Sequence, residues 1–210
     1  MCCRYWADET PETWAIVQEM ERSPLTPRWE KIAGVKSYGE IRPTDVAPVI
    51  APDRNGNRAV FPMRWGFGSL SQSAGRTVLM NARTETASSK PTFREAWERH
   101  RCIVPASGYF EWEHIRGENG KTRTGDKYLI RPKDAVMTWL CGLYRIEEGL
   151  PVFVILTREP GEDTRFIHDR MPLILPEECI DDWISPDRDP GDLLSRSLTG
   201  MDCRKAMVRT

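Results

Sequence analysis

Apolar positions along this chain come mainly in short runs broken by glycine, proline and charged residues, the spacing of a sheet-rich domain with few helices. Thr10-Pro11 reads as an N-cap followed by proline in the first helical turn, and the helix it opens is expected to turn Trp14, Val17 and Met20 inward. Two apolar runs, 46–50 and 59–61, flank the turn signal Asp53-Arg54-Asn55-Gly56 and predict a hairpin. Residues 77–80 predict a strand leading into Asn81-Ala82-Arg83. Phe93, Ala96 and Trp97 recur at helical spacing. Further strands are expected at 102–104, 109–113, 127–130, 136–143 and 152–156. The polar stretch 116–125 between two of them reads as an exposed hairpin loop. Pro176 opens a helix with Ile180, Trp183 and Ile184 facing inward. The tail beyond Pro186 is polar and turn-rich, with a short helix near Leu193. These elements predict an α+β fold, a curved, mainly antiparallel, barrel-like β core flanked by short helices.

Composition narrows the functional classes. A chain of 210 residues with 40% apolar and 29% charged residues suits one domain spanning 1–210. The formal net charge of −1 gives no global attraction to nucleic acid, so any such face is a local gathering of some of the 30 Lys and Arg. No apolar run reaches the length of a membrane span, and the opening MCCRYWADE lacks the features of a signal peptide. A cytoplasmic protein is expected, with Cys2, Cys3, Cys102, Cys141, Cys179 and Cys203 as reduced thiols. No C-x-x-C pair occurs, so no metal is expected. Gly120-Lys121-Thr122 resembles the end of a phosphate-binding loop, but Ile115 stands where that motif needs glycine.

Position 2 has a chemistry of its own. Once Met1 is removed, Cys2 carries an α-amine and a thiol on adjacent carbons. That amine has a pKa of about 7.7–8.0 against about 10.4 for lysine, so a useful fraction is neutral at pH 7. It can form a Schiff base with an aldehyde, and the thiol can then close a thiazolidine ring. Three further segments are dense in reactive side chains: Asn81 to Thr86, Ser107 to Trp112 and Ile167 to Pro172. Each also has an ordinary structural reading. Asn81 suits a strand-end turn, Glu111 a solvated strand face, and His168 a core histidine beside Asp169.

Taken together, MC-x-R, NAR-x-ET, RC-x-VPA-x-G-x-x-EW and IHDRMP-x-x-L, in that order, resemble the signature set of the SRAP family, the SOS-response-associated peptidases or abasic-site-processing proteins. The resemblance extends to Arg42-Pro43-Thr44, Arg64-Trp65-Gly66, Lys90 to Arg94 and Cys141-Gly142-Leu143, covering residues 1 to about 184. It implies a protein that binds single-stranded DNA and crosslinks to abasic sites through Cys2. Asn81 would hold the α-amine and adduct, Glu111 would transfer protons, and His168 would assist sugar-ring opening. Arg4 and Arg83 would contact phosphates, and Pro43 and Trp112 would line the channel, with Arg64, Lys90 and Arg170 as further cations. Lyase activity at the Schiff-base stage and self-removal of Met1 are also implied, without cofactor, metal or membrane. A monomer is expected, nucleoid-associated when on damaged DNA.

Three departures stand out. Cys3 replaces a usual glycine, residues 69–76 contain no tryptophan, and the C-terminal closing strand of many relatives is expected to be replaced or absent. Two other classes suit the same residues. One is a peptidase acting on other proteins, with Cys2 as nucleophile, His168 as base and Asn81 as orienting group. The other is a noncatalytic single-strand-binding module.

Overall fold

The computed structural model describes residues 3–68, 78–117 and 121–206. In chain order its elements are β1 (Arg4–Ala7), α1 (Pro11–Glu21), α2 (Thr26–Ile32), β2 (Gly39–Ile41), β3 (Val46–Pro52), β4 (Arg58–Trp65), β5 (Asn81–Arg83), α3 (Thr84–Ala87), α4 (Arg94–Arg99) and β6 (Arg101–Ala106). They continue with β7 (Gly108–Arg116), β8 (Thr122–Pro132), β9 (Thr138–Glu147), β10 (Leu150–Arg158), β11 (Met171–Pro172), β12 (Ile174–Leu175), a 3-10 turn at Glu177–Cys179, α5 (Ile180–Ile184), α6 (Pro190–Leu194) and β13 (Met201–Lys205).

Strands β4, β3, β6, β9 and β10 pair in sequence as antiparallel neighbours, and a parallel pairing of β10 with β4 closes the ring into a barrel. Beside it lies an antiparallel sheet in the order β13-β8-β7-β1-β2. One core cluster joins Tyr5, Tyr109 and Ile130 of that sheet to Trp65, Phe153 and Ile155 of the barrel strands. A second packs Val17, Trp97, Ile180 and Trp183 from the helices against Ile103, Leu143 and Val154. Barrel strands are therefore covered on both faces. That explains why β6 and β10 read as continuous apolar runs rather than as alternating ones. The expected α+β architecture is the observed one.

Several local expectations also hold. The Thr10 side chain accepts from the Thr13 N–H in a capping box, and Pro11 occupies the first turn of α1. The β3–β4 hairpin turns on Asp53, whose Oδ1 accepts from the N–H of Asn55 and of Asn57.

Three expectations are corrected. Trp14 is 57% exposed; α1 packs through Thr13, Val17 and Met20, the i, i+4, i+7 stripe one residue away. The strand expected at 77–80 is displaced to Asn81–Arg83, which pairs with Ile155 to Thr157 of β10, while Leu79 makes only an isolated bridge to Phe67; Thr77 lies outside the described residues. Much of 116–125 is strand rather than loop, since Arg116 pairs with Thr122. Of the two outcomes expected at the C-terminus, replaced or absent, the first holds: a strand without asparagine, β13, runs antiparallel to β8 from Met201↔Pro132 to Lys205↔Tyr128.

One stretch of backbone sets the position of the later site. β10 pairs with β4 through Val152 and Phe153, then with β5 through Ile155 to Thr157, so the two strands lie end to end along its edge. Gly66 makes the exit from β4. Its φ is +115° and a Cβ there would lie 2.3 Å from Val78 Cγ1, so only glycine fits. Buried Trp65 stacks on Phe153 and donates its indole N–H to the Met80 carbonyl at 2.8 Å, fixing the approach to Asn81.

Candidate functional site

An open pocket of about 480 Å³ lies where β7 and β8 meet the loop between β10 and β11. Cys3, Arg83, Glu111, Trp112, His168 and Arg170 are on its wall, joined by His114, Thr124 and Asp169.

The β7 strand supplies Glu111. Its neighbour β1 pairs Arg4 with Phe110, which brings the start of the chain alongside. Glu111 is 3% exposed, and Oε1 accepts from the Trp112 N–H at 3.3 Å. Burial raises its pKa above the usual 4.5, favouring the protonated form. The solvated-face reading of Glu111 is therefore overturned.

A register shift between Trp112 and His114 interrupts the β7–β8 ladder. The His114 N–H instead donates to the Ile167 carbonyl at 2.8 Å, drawing the following loop onto β7. Turn hydrogen bonds to the Thr164 carbonyl from the N–H of Ile167 and of His168 hold that loop, and buried Ile167 anchors it in the core. His168 is thereby packed against His114, ring centroids 4.1 Å apart and planes tilted by 51°.

His168 is 7% exposed, and its pKa falls to about 4, first through burial and then with His114 adding and Asp169 opposing. Its Nδ1 faces both the Arg170 N–H at 2.9 Å and Asp169 Oδ1 at 2.7 Å. With its pKa at about 4 the ring is neutral at pH 7.

Arg83 and Asn81 stand two apart on β5 and so share a strand face. Arg83 is exposed at the pocket, and Asn81 Oδ1 is buried. Arg170 forks onto Glu85 at 2.7 and 2.8 Å and donates to the Thr157 carbonyl, so its charge is spent on structure. Arg4 lies over Trp112, 5.2 Å from the ring centroid, and pairs with Glu40 at 2.5 Å. Burial opposes the charge on Glu40, but hydrogen bonds from Lys127 and Arg4 outweigh it and hold its pKa at about 2. Cys3 is half-buried on the wall; burial, then Glu111, pushes its thiol pKa up, away from the reactive thiolate.

Other predicted residues are not brought to the pocket. Arg64 is 3% exposed and is held by the Gly68 carbonyl and by Glu147 at 3.4 Å, so it offers no free cation to a ligand. Lys90 is exposed in the turn after α3, and Pro43 sits in the turn before β3; neither lines the pocket. Cys2 and residues 69–76 lie outside the described residues. Among the residues that line it, His114 and Thr124 escaped the sequence reading. Only the bulge and the β7–β8 register bring them in, and neither has a local signature.

Known proteins match this chain over most of its length. The abasic site processing protein YoqW of Bacillus subtilis is 34% identical over 178 residues, 78% of this chain and 76% of that protein. YedK of Escherichia coli, also named an abasic site processing protein, is 27% identical over 194 residues, 88% of this chain and 79% of its own. Among solved structures, a phage-related protein from Bordetella bronchiseptica superimposes with a TM-score of 0.70 at 22% identity, covering 100% of this chain and 95% of the other. A protein from Bacteroides thetaiotaomicron does so at 0.68, with coverages of 99% and 93%. The family profile for SOS response associated peptidase matches residues 1–208, and with the order of motifs and the shared fold this chain belongs to the SRAP family.

Proposed function

We propose that the protein processes abasic sites in single-stranded DNA, as a monomer, by forming a covalent thiazolidine with the lesion through Cys2 after Met1 is removed. The observation that carries this reading is the convergence of two buried proton carriers, Glu111 and His168, on a pocket walled by Cys3, the residue directly bonded to Cys2. The names of the relatives YoqW and YedK support the substrate class.

The steps follow from the groups. His168, kept neutral by burial, hydrogen-bonds the sugar ring oxygen and helps the ring open to its aldehyde. The Cys2 α-amine adds to that carbonyl carbon. Glu111, whose raised pKa favours its protonated form, gives its proton to the resulting hydroxyl, which leaves as water to form the iminium. The Glu111 carboxylate then takes the thiol proton as sulfur closes on the same carbon. One water is lost overall, and reversal runs the same steps backward. Asn81 holds the amine and adduct, and Arg83 and Arg4 contact phosphates. Strand cleavage by β-elimination requires the iminium, which ring closure removes, so shielding dominates over lyase activity. In self-processing, the same pocket takes part in releasing Met1.

The test is a denaturing gel after incubation with single-stranded DNA bearing one abasic site. Wild type gives a shifted band that survives heating; Cys2→Ala and a chain with an extra residue blocking the α-amine give none. A band from Cys2→Ala contradicts the mechanism. Cleavage of unrelated peptides without a band supports a peptidase instead, and salt-sensitive binding alone supports a noncatalytic module.

A further inference from the structure

A second cavity of about 390 Å³ lies against the first, and His114, His168 and Asp169 line both. The two packed histidine rings form the partition between them. Beyond that partition stand Arg116 from the end of β7, and Arg165 and Phe166 from the turn before His168.

Many of the chain's cations are paired with carboxylates. Arg4, Arg42 and Lys127 converge on Glu40, Arg170 forks onto Glu85, and Arg64 and Arg145 share Glu147. Among the described residues, no carboxylate pairs with Arg116 or Arg165, and both are exposed. Asp169 is the carboxylate on the shared wall, turned toward His168 Nδ1 at 2.7 Å. Phe166 is 55% exposed, and the edge contact with Tyr128 at 5.6 Å and 88° braces it. Two uncompensated arginines beside a braced, open aromatic face match a flat base linked to a phosphate better than a simple anion or an apolar ligand.

We infer that this cavity binds the nucleotide next to the abasic site on the same strand, its base on Phe166 and its phosphate on Arg116 and Arg165. The inference rests on the proposed abasic-site reading, which places the lesion in the adjoining pocket. A strand running from one cavity into the other passes the histidine partition in one direction only, so the subsite serves one flank of the lesion and not both.

The experiment measures noncovalent affinity in the Cys2→Ala background for two short single strands, one carrying nucleotides only 5′ of the abasic site and one only 3′. Phe166→Ala weakens binding of one of these about tenfold and leaves the other unchanged. Phe166→Tyr retains affinity, whereas Phe166→Leu, which keeps an apolar side chain but no ring, does not. Arg116→Gln with Arg165→Gln lowers the salt dependence for that same strand, by about 0.7 in log–log slope for each phosphate no longer neutralised. Equal affinities for wild type and Phe166→Ala on both strands overturn the subsite. Equal losses on both flanks overturn it as well, since they report a general surface effect. Crosslinking by the chain with Cys2 intact is scored separately. Its absence defeats the abasic-site reading while a flank-specific Phe166 effect still stands.

Discussion

Replacing Glu111 with glutamine slows crosslink formation by about 100-fold or more and, in the same protein, raises stability at neutral pH. The two effects share one cause. Burial penalises the charged carboxylate, so the folded state holds its proton to higher pH than the unfolded chain does. Between the ordinary carboxylate value of 4.5 and the raised folded value, the folded state binds more protons than the unfolded state. Stability therefore falls as pH rises through that window, and above it the full cost is carried. Glutamine removes the charge and the cost with it. The gain over wild type appears at pH 7 and shrinks as pH falls toward 4.5. Chemistry moves the other way, because glutamine can neither supply the proton that expels water nor accept the thiol proton. Single-turnover crosslinking and thermal melts at several pH values check both, and noncovalent DNA binding stays close to wild type. A slower reaction accompanied by a lower melting temperature assigns Glu111 to structure instead.

The largest effect on stability is expected at Arg101, far from the chemistry. Its side chain is 1% exposed and has no carboxylate within ion-pair distance among the described residues. It donates instead to five backbone carbonyls: Trp97 at 2.7 Å, Glu98 at 2.9 Å, Trp183 at 2.7 Å, Arg188 at 2.9 Å and Ser185. These carbonyls belong to the C-terminal ends of α4 and α5 and the turn after α5, where helices leave acceptors unsatisfied. Arg101→Ala strips donors from all of them and leaves a cavity beside Trp183, whose ring lies 5.8 Å from the guanidinium. A loss of about 4 kcal/mol or more follows, equivalent to roughly 10 °C in melting temperature for a chain of this size. Arg101→Lys rescues little, since an ammonium cannot span five carbonyls with a planar fork. The fraction still folded at low temperature crosslinks at the wild-type rate. Chemical denaturation and a crosslinking time course together separate the two effects.

Much of the architecture is readable in the chain itself. The runs that form β3, β6 and β10 are apolar enough to mark buried strands, and Thr10-Pro11 marks the start of α1. What escapes depends on partners distant in sequence. β13 reads MDCRK, with only Met201 buried, and becomes a strand because β8 offers it an edge. Trp14 is the largest side chain of α1, yet it sits just off the stripe that the barrel covers. At the site, Glu111 and His168 are legible as chemical types set in motifs. Their burial, which sets the protonation of both, is not, because it comes from the β7 bulge and the docking of the 164–168 turn. Arg64 shows the converse: a cation in a promising motif that the fold commits to Glu147. Cys3 is conspicuous in the sequence, and the structure gives it a place on the pocket wall with a thiol held protonated by burial and by Glu111.

The most direct measurement of the central claim is the intact mass of the species formed with an abasic-site oligonucleotide, followed by fragmentation to locate the bond. The mechanism requires the mass of the chain without Met1 plus that of the DNA, less one water, with both the α-nitrogen and the sulfur of Cys2 attached to the same sugar carbon. An adduct on Cys3 or a lysine, or one that forms equally well while Met1 remains in place, contradicts it.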